Sequence, residues 1–542
     1  TGRTNDFAIS GSWTGTLGAR TTNELCGQFA ARRADLHTNG REGAGISIAG
    51  VADFGPAYAG DNTHDQRYFE AGDTVGYSRA SHFLKAGANL QHVSVGISTA
   101  DGTRGLYVFP TLDAFLAGQP AAMRQMSGGA DVDLTVTRAS AFVQDYWTPT
   151  PGITVDAGAR FETSLFPSSF GITNRRISPR VGIAWMPDRQ WVIRGGAGAF
   201  ADRLVLAALE RPTLGQQGIV ERSAAGEGAT PSMYTVRRGA FTPYSRQASV
   251  GAERQLSANL TAAMNYLFVQ GRNLARTINV NLAPPRSLTV SNAVSLGIDA
   301  AVPQQLGRLV FGRERLDPSW NGVFELQPTA SSSYHGVTMT LNRRLADEIE
   351  WSAAYTWSHA QDAASDFDEQ PQNPYALTDE WDDSRYDQRH RLVISAVLDL
   401  PIGEEEDLKP GQAPGAMVRA FSHISVAPIL TAGTGHPINI VTGGDDNRTG
   451  AFPITSRPIN VRRNSWRLPA TATLDIRVLK YFAIKPHGKL DLVVEAFNLL
   501  NRTNVIEVNN IFGPLLTPRA SFGRAIEAGP SRQLQFSIDF EF

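Results

Sequence analysis

The chain has 542 residues, of which 42 % are hydrophobic and 19 % charged, with 51 Gly and a single Cys. A formal net charge of −2 gives no bulk attraction to nucleic acid, and one cysteine, Cys26, excludes an internal disulfide framework and a Cys-based zinc site. No apolar run approaches the ~20 residues of a membrane-crossing helix, but a mean hydropathy of −0.21 leaves a membrane barrel open. Barrel strands interleave lipid-facing and lumen-facing side chains, which cancels the average.

In chain order, the first strand is expected near residues 5–14. Nothing ahead of it has the basic start, apolar stretch or small-residue cleavage site of a secretory signal. From Ile153 the series Ile153, Val155, Ala157, Ala159, Phe161 is apolar, against Thr154, Asp156, Gly158, Arg160 and Glu162. The same alternation sets Ile349, Trp351, Ala353, Tyr355 and Trp357 against Glu350, Ser352, Ala354, Thr356 and Ser358. It returns at Leu392, Ile394, Ala396, Leu398 and at Leu490, Leu492, Val494, Ala496. The last residues are the clearest case: Leu534, Phe536, Ile538, Phe540 and Phe542 oppose Gln533, Gln535, Ser537, Asp539 and Glu541. A period of two over such lengths belongs to strands, not to helices.

The connections alternate as well. Very short links are expected at 78–81, 148–151, 187–189, 257–258, 346–347 and 486–488, and long polar loops at about 35–66, 98–131, 202–244, 277–331, 363–386, 431–470 and 504–530. The link 402–414 breaks the rhythm by being long where a short turn is due. Short periplasmic turns and long extracellular loops are the habit of bacterial outer-membrane barrels. Aromatics such as Tyr146, Trp147, Trp185 and Trp191 flank the short turns, as an interfacial girdle requires. The pattern therefore predicts an all-β chain, a transmembrane antiparallel up-and-down β-barrel. It gives about 17 strands, an odd number, where single-chain bacterial barrels use an even one. The expectation is a single barrel domain over 1–542 that lacks amino-terminal strands.

Several strings carry a family resemblance. AFVQDYW at 141–147, followed by ITVDAGARFE at 153–162, resembles the barrel of TonB-dependent receptors, as do SPRVGIAW at 178–185 and RGGAGAF at 194–200. YHG at 334–336, YTWS at 355–358 and DQRHR at 387–391 are similar to the Oar-like branch, which often carries a carboxypeptidase-regulatory-like amino-terminal module. EAFNLLN at 495–501, with Thr503 and Asn504, resembles the penultimate strand of that family. Phe540 and the terminal Phe542 resemble its barrel-assembly signal. The resemblance implies a 22-stranded barrel, with about five strands, the plug and the signal peptide absent from this sequence. It also implies a Gram-negative outer-membrane location in contact with lipid, and assembly by the barrel-assembly machinery. Energised uptake of a large or scarce solute would run through the TonB complex, engaged by the missing plug region.

No enzyme signature is present: there is no metalloprotease helix motif, nucleophile elbow or phosphate loop. No cofactor is called for. The glycines of 195–198 sit inside a strand pattern, and His359 and His390 read as rim or lumen polar residues rather than a metal pair. The most suggestive loop runs over 362–387. Asp366, Asp368, Asp382 and Asp383 offer oxygen ligands for Ca²⁺, although the spacing is not that of an EF-hand, and Tyr375, Trp381 and Tyr386 offer aromatic faces for a solute. The plainer reading is a solvated surface loop. Two alternatives to a receptor share the alternation: a passive porin-like channel, and a secreted β-rich adhesin whose apolar faces would pack on one another.

Overall fold

A computed structural model describes residues 2–38, 43–56, 60–100, 102–127, 130–224, 230–296, 298, 305–346, 348–400, 422–451, 454–484, 488–514 and 516–541. Seventeen long strands run through them as one antiparallel meander. They are β1 Gly2–Thr16, β2 Thr21–Leu36, β3 Asn62–Arg79, β4 His82–Thr99, β5 Ala130–Thr150 and β6 Ile153–Leu165. There follow β7 Ile172–Trp185, β8 Trp191–Ala201, β9 Tyr244–Gln255, β10 Leu260–Asn279, β11 Val323–Ala346 and β12 Ile349–Asp362. The last five are β13 His390–Asp399, β14 Ile424–Gly433, β15 Thr471–Ile484, β16 Gly488–Phe497 and β17 Gln533–Glu541. Each pairs with the next in sequence. Among the described residues, β1 pairs only with β2 and β17 only with β16.

The two faces of this sheet part as the alternation dictates. On β17, Leu534, Phe536, Ile538 and Phe540 are 59, 71, 70 and 55 % exposed. No second layer covers them. In water, leaving so many large apolar side chains uncovered forfeits about 1.5–3 kcal/mol apiece, so the outer face is built for lipid. The register extends the pattern sideways: Val181 opposes Ala197, which opposes Ala248, which opposes Phe268. The other face carries a polar ladder. Gln144 Nε2 donates to Asp156 Oδ1 at 2.6 Å, and Arg160 Nη2 donates to Ser140 Oγ at 2.5 Å. The greasy rows do not meet in a dry interior, and a secreted adhesin would need them to.

One end of the wall is made of tight links. Thr150 pairs directly with Ile153, and between them Gly152 sits at φ +86°, which a Cβ would strain while approaching Met186 O to 2.8 Å. At the other end the links are long, as expected, but their bounds differ. The loop expected at 277–331 is shorter, because β10 continues to Asn279 and β11 starts at Val323. A loop strand, Met233–Val236, lies parallel to the start of β11 and covers Phe324 and Leu326 there. The link 166–171 is compact where the rhythm asks for a long loop: a single 3-10 turn, Ser168–Phe170, buries Phe170. The link 402–414 lies outside the described residues, as does Phe542.

The long loops fold on one another. Loop strands Glu221–Ala224, Ala122–Met126, Leu106–Phe109, Gly45–Ile48 and Ala52–Phe54 form a five-stranded sheet in that order. Buried clusters knit the loops to the strand tips: Leu134, Phe170, Leu209, Phe241 and Leu326 in one, and Val95, Val132 and Leu214 in a second. The final loop also reaches the first two long ones. Asn509 Nδ2 donates to Gly50 O at 3.0 Å, Arg519 Nη1 to Ala49 O at 3.3 Å and Arg519 Nη2 to Pro110 O at 2.9 Å. The sheet therefore curls until its first and last loops touch, consistent with the right-handed twist that strands accumulate. Among the described residues no helix is long and apolar enough to cross a membrane.

Candidate functional site: the braced mouth of the barrel

The acidic loop 363–389, between β12 and β13, packs against the loop 434–470, between β14 and β15. The second loop brings four arginines within eleven residues, Arg457, Arg462, Arg463 and Arg467. Arg457 grips Glu380 with two bonds, Nη1 to Oε2 at 2.8 Å and Nη2 to Oε1 at 3.0 Å. Arg463, 1 % exposed, reaches Glu369 through Nε at 2.5 Å and Nη2 at 2.8 Å, and Asp362 through Nη1 at 2.7 Å. Arg467 Nη2 lies 2.5 Å from both Asp383 Oδ2 and Asp387 Oδ2. Asp387 is fully buried, and its Oδ1 accepts the backbone N–H of Ala360 at 2.6 Å. Fork-on-carboxylate contacts of this kind are strong and directional.

The charges respond accordingly. Burial works against the Arg463 guanidinium, but Glu369 and Asp362 outweigh it and hold it above its ordinary range. Burial works against the Glu369 carboxylate too, and Arg463 overrides it, so its pKa falls. Asp383 is likewise lowered: burial opposes, while His359 and Arg467 pull it down. One cation in the cluster is different. Arg276, from the tip of β10, is 1 % exposed, and its three guanidinium nitrogens have no hydrogen-bond partner among the described residues.

Beside this brace lies a cavity of about 190 Å³ whose lining includes Arg211, Leu214, Tyr234, Phe324 and Phe367. Glu210 and Asp368 also line it. Burial pushes both carboxyls up, with Arg211 pulling the other way. Its floor is fixed by the Tyr234 hydroxyl, which donates to Glu221 Oε2 at 2.9 Å, and by the ion pair of Glu221 with Arg124. Apolar walls with a few convergent polar groups are the usual make-up of a small-molecule pocket.

The acids that suggested Ca²⁺ are dispersed. Asp366 faces Arg385 at 3.0 Å, while Asp368 turns to the cavity. Asp382 meets Arg462 at 2.9 Å. Asp383 meets His359 at 2.8 Å, Arg467 and Arg389. Alternate carboxylates chelate one ion only if the backbone wraps them round a centre. Here neighbouring acids diverge, and no group of three His, Cys, Asp or Glu that could hold a metal occurs among the described residues. Of the aromatics, Tyr375 is half-exposed, with its hydroxyl donating to Leu282 O at 2.5 Å. Tyr386 is 63 % exposed, with the Arg385 guanidinium 5.1 Å above its ring. Trp381 is half-buried between Glu380 and Asp382. His390 bonds Tyr355 rather than His359. Sequence reading passed over the arginines. Their signal was the dense run at 457–467, opposite in sign to the acidic loop.

A single-layer wall of antiparallel strands, greasy outside, polar inside and carrying interlocked loops at one end, defines an outer-membrane β-barrel. The chain belongs to the outer membrane beta barrel domain family, whose profile matches residues 4–171, 166–462 and 459–535. No curated protein matches the sequence. Among solved structures, the chain is similar to the outer membrane transporter YddB from Escherichia coli, at TM-score 0.59 and 10 % identity, covering 99 % of this chain and 62 % of that one. It is also similar to the siderophore receptor PirA from Acinetobacter baumannii, at TM-score 0.59 and 10 % identity, covering 100 % and 62 %. A mutant of the ferric enterobactin receptor PfeA from Pseudomonas aeruginosa gives TM-score 0.58 and 14 % identity, again covering 100 % and 62 %. The chain thus spans 62 % of the length of these structures. At such identities the likeness speaks for the fold.

Proposed function

We propose that this chain is the barrel of a TonB-dependent, Oar-like receptor that binds a large or scarce solute at its extracellular mouth for energised uptake. One observation carries the reading: the loops at the mouth are locked to one another by buried arginines and carboxylates, which holds a surface there in one shape, as a receptor for a solute requires. The fold shared with a transporter and two siderophore receptors supports it. In this reading the cavity beside Glu210 and Asp368, with Tyr375 and Tyr386 on the rim, receives part of the solute, and the TonB complex acts from the periplasm.

The test has two arms. The full-length protein in a planar bilayer should show no steady conductance, and a stable open channel would favour the porin-like alternative. In cells, site-specific photo-crosslinking should capture the receptor on TonB. Absence of that crosslink, with the protein correctly inserted, would sink the energised reading.

A further inference from the structure

We infer that the cavity beside the brace takes a protonated primary amine carried on an apolar arm of the solute, which rests on reading the mouth as a solute site. Besides Tyr234, the ionisable side chains that line it are Glu210, Arg211, Glu221 and Asp368. Glu221 is already engaged by Arg124 and by the Tyr234 hydroxyl. Glu210 and Asp368 make no hydrogen bond and no ion pair among the described residues. Arg211 acts on both through space, but its guanidinium lies 5.1 Å from the Tyr234 ring and its Nη1 donates to the Tyr234 hydroxyl at 3.3 Å. Two carboxylates against one guanidinium leave a negative charge over. Burial pushes both carboxyls up, and Arg211 offsets it only in part. An entering cation would supply the missing charge.

A hydroxyl faces the same space. Thr277, at the tip of β10, is 5 % exposed, and its side chain makes no hydrogen bond among the described residues. It opposes Leu326 and shares with Leu326, Phe324 and Tyr234 the face that lines the cavity. A buried hydroxyl normally has a partner, and its lone pairs can accept from an ammonium. The groups are held in place before anything enters. Thr277 N donates to Phe367 O at 2.8 Å, which keeps Asp368 beside that hydroxyl. Glu210 opens the short helix Glu210–Gln216, pinned by the buried Leu209 and Leu214. Gly215 lets the helix lie close on the loop strand Met233–Val236, because a Cβ there would collide with the Tyr234 carbonyl. Leu214, Phe324, Leu326 and Phe367 supply an apolar wall for the stem of the arm. At about 190 Å³ the cavity admits an arm rather than a whole solute. Two carboxylates and one hydroxyl fall short of the roughly six to eight oxygens that a calcium ion collects. An ammonium, which donates one N–H to each of these groups, matches them.

The experiment is saturation-transfer NMR on the full-length protein in a non-ionic detergent. It is titrated with cadaverine, an unbranched diamine protonated at neutral pH, or with pentanediol, its neutral counterpart. Cadaverine should saturate a site and pentanediol should not. Glu210→Gln and Asp368→Asn should each weaken cadaverine about fivefold, the weight of one ion pair, and Thr277→Val about threefold, that of one hydrogen bond. Glu253→Gln removes a carboxylate at the short-link end, where Glu253 sits 3.6 Å from Arg194, and should leave binding unchanged. Heat-modifiable gel mobility checks that each variant is folded. Equal binding of pentanediol would overturn the inference, as would unchanged affinity in Glu210→Gln and Asp368→Asn or an equal loss in Glu253→Gln. Displacement of cadaverine by Ca²⁺ at a lower concentration than cadaverine itself needs would make it a metal site, and the amine assignment would fall. The binding needs no TonB, so the two readings fail separately. Capture on TonB without amine binding sinks only the amine, and amine binding without capture sinks only the energised uptake.

Discussion

Placing a charge on β17 tests the wall directly, and the geometry sets the size of the effect. Ile538 is 70 % exposed on the apolar row and opposes Leu492, whereas Ser537, its neighbour, opposes Val493 on the other face. With a rise of ~3.3 Å per residue and a tilt near 45°, Ile538 lies about 7 Å from Glu541 along the membrane normal. That places it inside an apolar band about 25 Å tall, short of its middle, where an arginine costs about 2–4 kcal/mol. Ile538→Arg should therefore cost about 2 kcal/mol, a shift of roughly 30-fold in the folding equilibrium. Ser537→Arg, pointing to the wet side, should stay within about 0.5 kcal/mol of wild type. Denaturant titration in phospholipid vesicles, followed by tryptophan fluorescence and gel mobility, reads both. Equal cost at the two positions would refute the assignment of faces, and with it the membrane reading of the whole sheet.

Three more outcomes follow from the braced mouth. Arg463→Met should free Glu369 and Asp362 as buried, unpaired charges, at a local cost of about 3–5 kcal/mol, seen as faster amide exchange across 363–387 and 454–467; unchanged protection there would show the pair to be inert. Arg276→Met should go the other way and raise the melting temperature, since a buried guanidinium without hydrogen bonds is replaced by an apolar side chain of similar reach; a clear fall would mean that Arg276 has acceptors in solution. Acid should unlock the loops: Glu369 and Asp383 are held below their ordinary values, so their stabilisation is complete above about pH 4 and disappears as pH falls through the lowered values. Exchange measured from pH 7 down to pH 3 should show loop protection lost before that of the strands, and simultaneous loss would contradict it.

The wall was legible because its code is local. Alternation in 153–161, 349–357 and 534–540 needs only a residue and its neighbours but one, and the structure pairs these segments in the register the alternation implies. The tight links were legible for the same reason, although the one expected at 148–151 turns at 151–152, because β5 runs on to Thr150 before β6 starts at Ile153. The mouth was not. Asp362 and Glu380 are bound by Arg463 and Arg457, 101 and 77 residues away, and no window of sequence holds both partners. An acidic loop read alone looks like a cation site. Read with the arginine run at 457–467 it is half of a neutral brace. The extension of β10 and β11 beyond their expected ends had a similar cause, since the cover of Phe324 and Leu326 comes from Tyr234 and Val236 in another loop.

The contacts of Asn509 and Arg519 with the loop around Gly50 span 459 and 470 residues. Such a fastening cannot form until the chain joining partners 459 residues apart has been delivered, and distant pairings of this kind make folding slow. Until it snaps shut, the early hairpins are held only by the strands next to them in sequence. The closing of that distant contact would thus set the pace at which the loops take their final places.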